Sequence, residues 1–395
     1  MTPKERVLAA LAHREPDRVP TGEIGVDSPV ATQALGRPTL YRAKWQEQVA
    51  LWEGRRDEVV ADYQRTLVAL ARHFQWDFVP VGLCPKRKTS YARPRMLDDN
   101  TWKDEDGYVR RYSPVGGGNV MTMEYPQLTW DDLDARAAEP VEVDESQLEV
   151  VRSVAGELGD THFILGKGSD NSFPYGVLGM EGILMRMVDD PPFVHRLTEI
   201  ETERSMVAND ALLAAGCDGV VLGTDYCDNR GPVMGPARFR EYVLPALRRL
   251  CDAVHRRGKF FIKHNDGNNW AVLPEMLEVG IDGWQGIQPA IGMDLRRLKD
   301  QFGDRLCFFG GVDVDSLVAG TVDDVRRQVA YAIQHAGPGG GLVVVSGNTI
   351  TSAVRWQNYE AMLAAVREFG TYPLAVPDLG PAVPPVGWQG AAAPA

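Results

Sequence analysis

The chain has 395 residues, 44% of them hydrophobic and 24% charged, enough to bury a sizeable core in one or two domains. Lys and Arg number 42 against 54 Asp and Glu. The net charge of -12 argues against nucleic acid as the main partner, because holding a polyanion needs a dense basic surface. No apolar run reaches the roughly 18 residues that span a bilayer, so no membrane partner is expected. The opening Met1-Thr2-Pro3-Lys4-Glu5-Arg6 reads as an amphipathic helix rather than a signal peptide. Cys84, Cys217, Cys227, Cys251 and Cys307 are dispersed without a paired spacing, which points to reduced thiols and a cytoplasmic location.

In chain order, the first strand signals are at residues 19–24 and 78–83. Residues 85–130 then turn polar, and Asp104-Glu105-Asp106-Gly107-Tyr108 has the composition of a hairpin turn, so a small β-rich insertion is expected there. From residue 159 short apolar runs alternate with helical patterns. The runs are residues 162–166, 218–223, 259–263, 283–287, 306–310 and 342–346, each apolar enough for a parallel strand buried on both faces. Between them, residues 236–256 place Phe239, Val243, Leu247, Leu250 and Val254 on one stripe, and residues 322–335 and 354–369 behave alike. Eight strands alternating with helices predict an α/β fold, a (β/α)8 TIM barrel, as one domain over residues 1–372. An open doubly wound sheet is the runner-up, weakened by the lack of a GxGxxG after the first strand. The Pro/Ala-rich stretch 373–395 predicts a flexible tail.

Barrel enzymes carry their chemistry at the C-terminal ends of the strands. Here those positions hold Asp170, then Asp225, Tyr226 and Cys227, then His264 and Asp266, then Gln288, Asp313 and Asn348. His264 and Asp266, two residues apart, share a face on an extended chain. They suit an acid/base pair or a metal site, with Asp225 or Cys227 as a third ligand and zinc as the ion. The plainer alternative is an Asx-turn at Asp266 and loop-bracing by His264. Asp225 and Asp313 could equally cap helices, and Gln288 and Asn348 could only brace loops. His195 and His255 lie within helical patterns and read as surface or packing residues.

Read together, these segments resemble the uroporphyrinogen decarboxylase superfamily. The matching stretches are Lys4-Glu5-Arg6-Val7-Leu8-Ala9-Ala10-Leu11 with Pro16-Asp17-Arg18-Val19-Pro20, Gly179-Met180-Glu181, and the segment from Pro236 to Pro245. His264-Asn265-Asp266-Gly267-Asn268, Phe309-Gly310-Gly311-Val312-Asp313, and Gly339-Gly340-Gly341 followed by Trp356-Gln357-Asn358-Tyr359 complete the series. The resemblance implies a (β/α)8 barrel. It also implies either cofactor-free decarboxylation or zinc-assisted methyl transfer between a corrinoid protein and a thiol.

Two departures bear on that choice. The decarboxylases resembled carry paired arginines after the first strand, for a polycarboxylate substrate, and a histidine after the last. Here Gly25-Val26-Asp27-Ser28-Pro29 and Asn348-Thr349-Ile350 stand there, so a mouth without those cations is expected. The thiol-methylating branch uses His-x-Cys and a later Cys, where this chain has His264-x-Asp266 and Ser346 or Asn348. The expected reaction is therefore a related methyl transfer from a small methylated substrate to a corrinoid or thiol. The corrinoid would sit on a separate protein, since no Asp-x-His-x-x-Gly motif occurs here. His264, Asp266 and Asp225 are the expected catalytic residues, and His264, Asp266 and Cys227 the expected zinc ligands. Asp170, Tyr226, Gln288, Asp313 and Asn348 are the expected substrate contacts. A metal-free lyase acting on a small acid and a non-catalytic binding barrel are the alternatives. Assembly into an oligomer is compatible with the sequence.

Overall fold

Four helices open the chain: α1 (Pro3–Leu11), α2 (Ser28–Leu35), α3 (Trp45–Trp52) and α4 (Arg56–Phe74). Seven short strands then pair in parallel in the order of the chain: β1 (Phe78–Gly82), β6 (Phe163–Gly168), β7 (Gly219–Gly223), β8 (Phe260–His264), β9 (Gly283–Gln285), β10 (Cys307–Val312) and β11 (Leu342–Ser346). The antiparallel strands β2 (Arg95–Met96), β3 (Thr101–Lys103), β4 (Val109–Ser113) and β5 (Asn119–Glu124) form a second sheet, with the expected turn of residues 104–108 between β3 and β4. The computed structural model describes residues 1–87, 91–114, 118–380 and 382. Most of the expected tail, residues 381 and 383–395, lies outside them. Among the described residues no helix is long and apolar enough to cross a membrane.

Side chains alternate along each parallel strand. Phe78, Phe163, Leu165, Val221, Ile262, Phe309, Val343 and Val345 point to one side and form a single cluster with Val7 and Leu11 of α1. Their neighbours Val79, Ile164, Val220, Leu222, Phe261, Phe308 and Val344 point to the other and join the larger core beneath the helices. α1 therefore packs against the concave side of the sheet. It is set there by a capping box between Thr2 and Glu5, with Pro3 in its first turn. The antiparallel sheet is fastened at the other end by aromatic contacts. Trp102 lies 5.3 Å from Trp52 and 5.9 Å from Trp45, and Tyr112 stacks on Trp45 at 5.3 Å.

One expectation is corrected and another refined. Residues 19–24, expected as the first strand, make one isolated bridge, Thr21 with Val344, instead of a ladder. The carbonyl of Pro20 accepts from Val344 (2.9 Å) and that of Thr21 from Asp77 (2.7 Å), so the segment lies between β11 and β1. Pro20 has no N–H to donate. A Cβ on Gly22 would stand 2.5 Å from the Phe78 ring, so the chain passes too close to β1 for regular pairing. The helix expected over residues 236–256 runs through but is not regular: between Pro236–Arg238 and Leu244–Arg256 it widens into a π turn at Phe239–Val243. Pro245, which lacks the N–H that would bond back to residue 241, accounts for the widened turn.

Asp77 fixes residues 19–24 against β1. Its buried carboxylate accepts from Arg18 at 2.8 and 2.9 Å, from Arg6 at 3.1 Å and from the Thr21 amide at 2.8 Å. The two arginines are 21% and 15% exposed, so water would recover part of what the loss of the carboxylate costs. Asp77→Ala should destabilise the fold by about 2–4 kcal/mol, read as a lowered urea midpoint with unchanged slope. An effect below about 0.5 kcal/mol would show that Asp77 does not anchor this segment.

Candidate active site and metal centre

The inward alternation, continued past the strand ends, brings up Lys167 on β6, Asp225 beyond β7, His264 and Asp266 at the end of β8, and Gln285 on β9. Three of these converge. His264 Nε2 stands 3.7 Å from Asp225 Oδ1 and 3.9 Å from Asp266 Oδ2, and one ligand atom of each residue lies within 4.8 Å of the others.

The ring of His264 is oriented from behind. Gln285 is fully buried, and its amide nitrogen donates to the carbonyls of Ser346 (3.1 Å) and Gly347 (3.0 Å). With the NH2 committed, the Gln285 oxygen faces His264 Nδ1 and accepts its proton. The lone pair of a neutral His264 is then on Nε2, aimed at the two carboxylates. Asp266 is held by Asn348, which donates to its Oδ2 at 2.7 Å, while the buried Oδ1 has no hydrogen-bond partner. Burial, opposed by His264 and reinforced by Asp225, pushes Asp266 up to about 6. Its backbone amide donates to Asp225 Oδ1 at 3.0 Å, which ties the two loops together. Gly267 makes that approach feasible. It adopts φ 86°, and a Cβ there would lie 2.6 Å from the Cys227 carbonyl oxygen.

The remaining expected residues divide. Asp170 and Tyr226 are buried behind the strand ends rather than in the mouth. Asp170 accepts from Lys263 (2.8 Å), Ser172 (2.6 Å) and Tyr226 (3.0 Å). Burial alone would push Asp170 up, but the Lys263 charge and these bonds hold it below its ordinary value. Gln288 braces the site by accepting from the Gly267 amide at 2.7 Å. Asp313, pushed up to about 7 by burial, accepts from the Ala290 amide at 3.2 Å. Cys227 is not part of the converging group. Burial pushes its thiol up to about 12, and Asp225 stands where the sequence reading had offered either residue. His195 is half exposed and stacks on Tyr242, while His255 pairs with Asp282 at 2.9 Å.

The structure also supplies residues that the sequence reading did not single out. Lys263, fully buried, reaches the carbonyls of Leu222, Thr224 and His264 at 2.6–3.2 Å as well as Asp170. Arg42 and Lys44, after α2, both pair with Asp27, at 3.0 and 2.7 Å. The expectation of a mouth without cations is thereby corrected: they come from a loop further along the chain than the stretch inspected. Lys44 also donates to the Gly118 carbonyl beneath the antiparallel sheet, and a 490 Å³ cavity lined by Asp27, Arg42, Lys44, Asn119, Met121 and Thr349 opens there.

Glu23, also fully buried, extends the network inward. Its Oε1 accepts from the Ser346 amide (3.1 Å) and its Oε2 lies 2.6 Å from Ser346 Oγ, which also meets the Asn348 carbonyl. Ser346 has one hydroxyl proton for two acceptors, and a protonated Glu23 supplies the second. Burial, only partly offset by Ser346, pushes Glu23 up to about 8.

Comparison with known proteins gives three results. Residues 116–369 match the family model described as uroporphyrinogen decarboxylase (URO-D). The uroporphyrinogen decarboxylase of Alkalilimnicola ehrlichii is 26% identical over 193 residues, covering 46% of this chain and 48% of that protein, and that of Thioalkalivibrio sulfidiphilus is 26% identical over 193 residues, covering 47% and 51%. The chain thus spans about half the length of the curated relatives it matches. A methyltransferase from Methanosarcina mazei superposes with a TM-score of 0.68 at 21% identity, covering 93% of this chain and 99% of that one, which is a likeness of fold.

The Glu23 shift sets a pH dependence. A carboxyl whose folded pKa is raised contributes stability that is fully present below its unfolded value near 4.5 and is lost as pH rises towards 8. Glu23→Gln keeps the hydrogen bonds without the charge. Relative to wild type, the variant's urea midpoint should climb between pH 5 and 8 and level off above. Parallel pH profiles for the two proteins would contradict a neutral Glu23.

Proposed function

The chain belongs to the uroporphyrinogen decarboxylase family, and we propose that it is a methyltransferase acting on a small methylated substrate with a divalent cation, zinc foremost, held by Asp225, His264 and Asp266. The observation that carries this reading is the convergence of His264 Nε2 with carboxylate oxygens of Asp225 and Asp266, one ligand atom of each residue lying within 4.8 Å of the others. Two donors bonded to one ion at about 2.1 Å can stand no more than about 4.2 Å apart. The separations of 3.7 Å from His264 Nε2 to Asp225 Oδ1 and 3.9 Å to Asp266 Oδ2 satisfy that limit. The donor set has one nitrogen and two carboxylates, and the cation would supply a Lewis acid that polarises the heteroatom carrying the methyl group.

The protein's own residues then have separate tasks. Gln285 holds the proton of His264 on Nδ1 and so keeps Nε2 available. Asn348 fixes Asp266 by its Oδ2, which leaves Oδ1 directed away from the amide. Outer groups of this kind typically alter metal affinity ten- to a hundredfold when removed. Behind them, Lys263 and Asp170 hold the loops that present both carboxylates. The acceptor, a corrinoid on a separate protein or a thiol, would meet the substrate at this mouth. Within this proposal the parallel sheet and residues 19–24 together make a closed (β/α)8 barrel.

One observation favours a second reading. An Asp266 carboxyl at about 6 can donate a proton near neutral pH, with no cation present. That suits a metal-free lyase acting on a small acid.

Metal content measured by mass spectrometry on tag-free protein separates the two. Near-stoichiometric zinc should be retained by wild type and lost from His264→Ala and Asp225→Asn, and Gln285→Leu should weaken zinc binding by roughly ten- to a hundredfold. Wild-type protein that holds no metal after loading and washing would rule out the metal-assisted transfer and leave Asp266 as the residue to test for proton donation.

A further inference from the structure

A second cavity, of 430 Å³, lies at the C-terminal ends of β1 and β6. Its walls include Tyr41, Tyr63, Leu67, Pro80 and Leu83, with Arg42 and Lys167 as its charged lining. Lys167 pairs in register with Val221, and Val221 with Ile262. Lys167 therefore lies two strands from His264, roughly 10 Å across the sheet, and one inward-facing step lower.

The charges at this corner do not balance. Arg42 and Lys44 share the single carboxylate of Asp27. Among the described residues Lys167 has no ion-pair or hydrogen-bond partner. Three cations thus face one carboxylate. Lys167 is exposed, and its side chain borders the cavity. Enclosure by the surrounding protein and the neighbouring Arg42 push its amine down to about 8, opposed by Asp27. An ammonium in that position lacks a counter-ion.

The backbone shows that the arrangement is built. Arg42 and Lys44 both have positive φ, 50° and 53°, which residues with a side chain rarely adopt. Such conformations persist where the surroundings over-determine them, and they concentrate at ligand sites. Here they turn two cations two residues apart onto the same carboxylate, and Arg42 also lines the cavity.

We propose that Lys167 and Arg42 form a carboxylate-binding subsite that takes the acid end of a small organic monoacid, across the mouth from His264. This deepens the methyl-transfer reading and rests on it for the reacting end: the methylated heteroatom would face His264 while the acid group is held at Lys167. A guanidinium and an ammonium together suit a carboxylate. The tyrosine, proline and leucine walls suit a ring or short chain behind it rather than a bare inorganic anion.

Titration calorimetry on the full chain tests this with benzoate and hexanoate, each beside its uncharged amide, and with inorganic phosphate. Both acids, or the better of them, should bind at least tenfold more tightly than the matching amide. Lys167→Met should weaken that acid by tenfold or more while leaving the amide unchanged, and Lys167→Arg should restore most of the loss. If Lys167→Met does not fold by circular dichroism, Lys167→Gln is read in the same way. Wild-type protein stripped of metal with EDTA should bind the acid within twofold of untreated protein, so a lack of metal counts against the metal reading alone. The subsite is overturned if neither acid outbinds its amide, if a folded Lys167 variant binds the acid as wild type does, or if phosphate binds more tightly than both acids.

Discussion

A lysine ammonium sealed from water decides how the mouth of this protein is arranged. Lys263 points away from the concave side of the sheet, where an apolar residue would ordinarily pack, and both it and Asp170 are fully buried. Its nitrogen also reaches carbonyls at the ends of β7 and β8, and it lies 4.4 Å from the centre of the Tyr226 ring. A buried ion pair seldom adds net stability, because removing two charges from water costs about as much as their attraction returns. Its consequence here is positional. Asp225 immediately precedes Tyr226, and His264 immediately follows Lys263. Tethering Asp170, Tyr226 and Lys263 into one cluster therefore leaves Asp225 and His264 little freedom except to face each other. The Tyr226 amide, donating to Asn265 at 2.6 Å, repeats the tie one layer higher.

Much of this was legible in the sequence because it depends on local pattern. Apolar runs of five or six residues marked the seven strands of the parallel sheet, and the rule that polar groups gather at strand ends pointed to Asp225, His264 and Asp266. The residues that were missed have their roles set by distant partners. Lys263 looks like the last residue of an apolar run until Asp170, 93 residues earlier, is seen beside it. Gln285 reads as the interior of a strand, and only the carbonyls of Ser346 and Gly347 show which way its amide must point. Asp170 and Tyr226 were found by position but expected to touch substrate. Their neighbours make them part of the support instead. Cys227 looked like a ligand by element type, yet its burial favours the neutral thiol.

The charge of the mouth shows a different limit. Inspecting the stretch after residue 24 finds Asp27 and no base, and concludes that an acidic substrate has nothing to hold it. In the fold that same aspartate is the anchor for Arg42 and Lys44. A carboxylate that looks like a repulsive group in one dimension becomes, in three, the group that collects positive charge. Departure from the arginine pattern of the decarboxylases therefore goes with cations supplied from elsewhere in the chain rather than with their loss.

The packing of α1 has a consequence for traffic. Val7 and Leu11 meet Phe78, Phe309 and their neighbours in one dry cluster, so among the described residues the concave side of the sheet is filled from that end up to the level of Lys167 and His264. The converging side chains are open toward the opposite side, where the antiparallel sheet and its tryptophan contacts lie. In such a cul-de-sac arrival and departure share one doorway. Under the proposed methyl transfer, a spent donor would have to back out before a large acceptor could take its place, so the order of events would follow from the shape of the room as much as from the chemistry inside it.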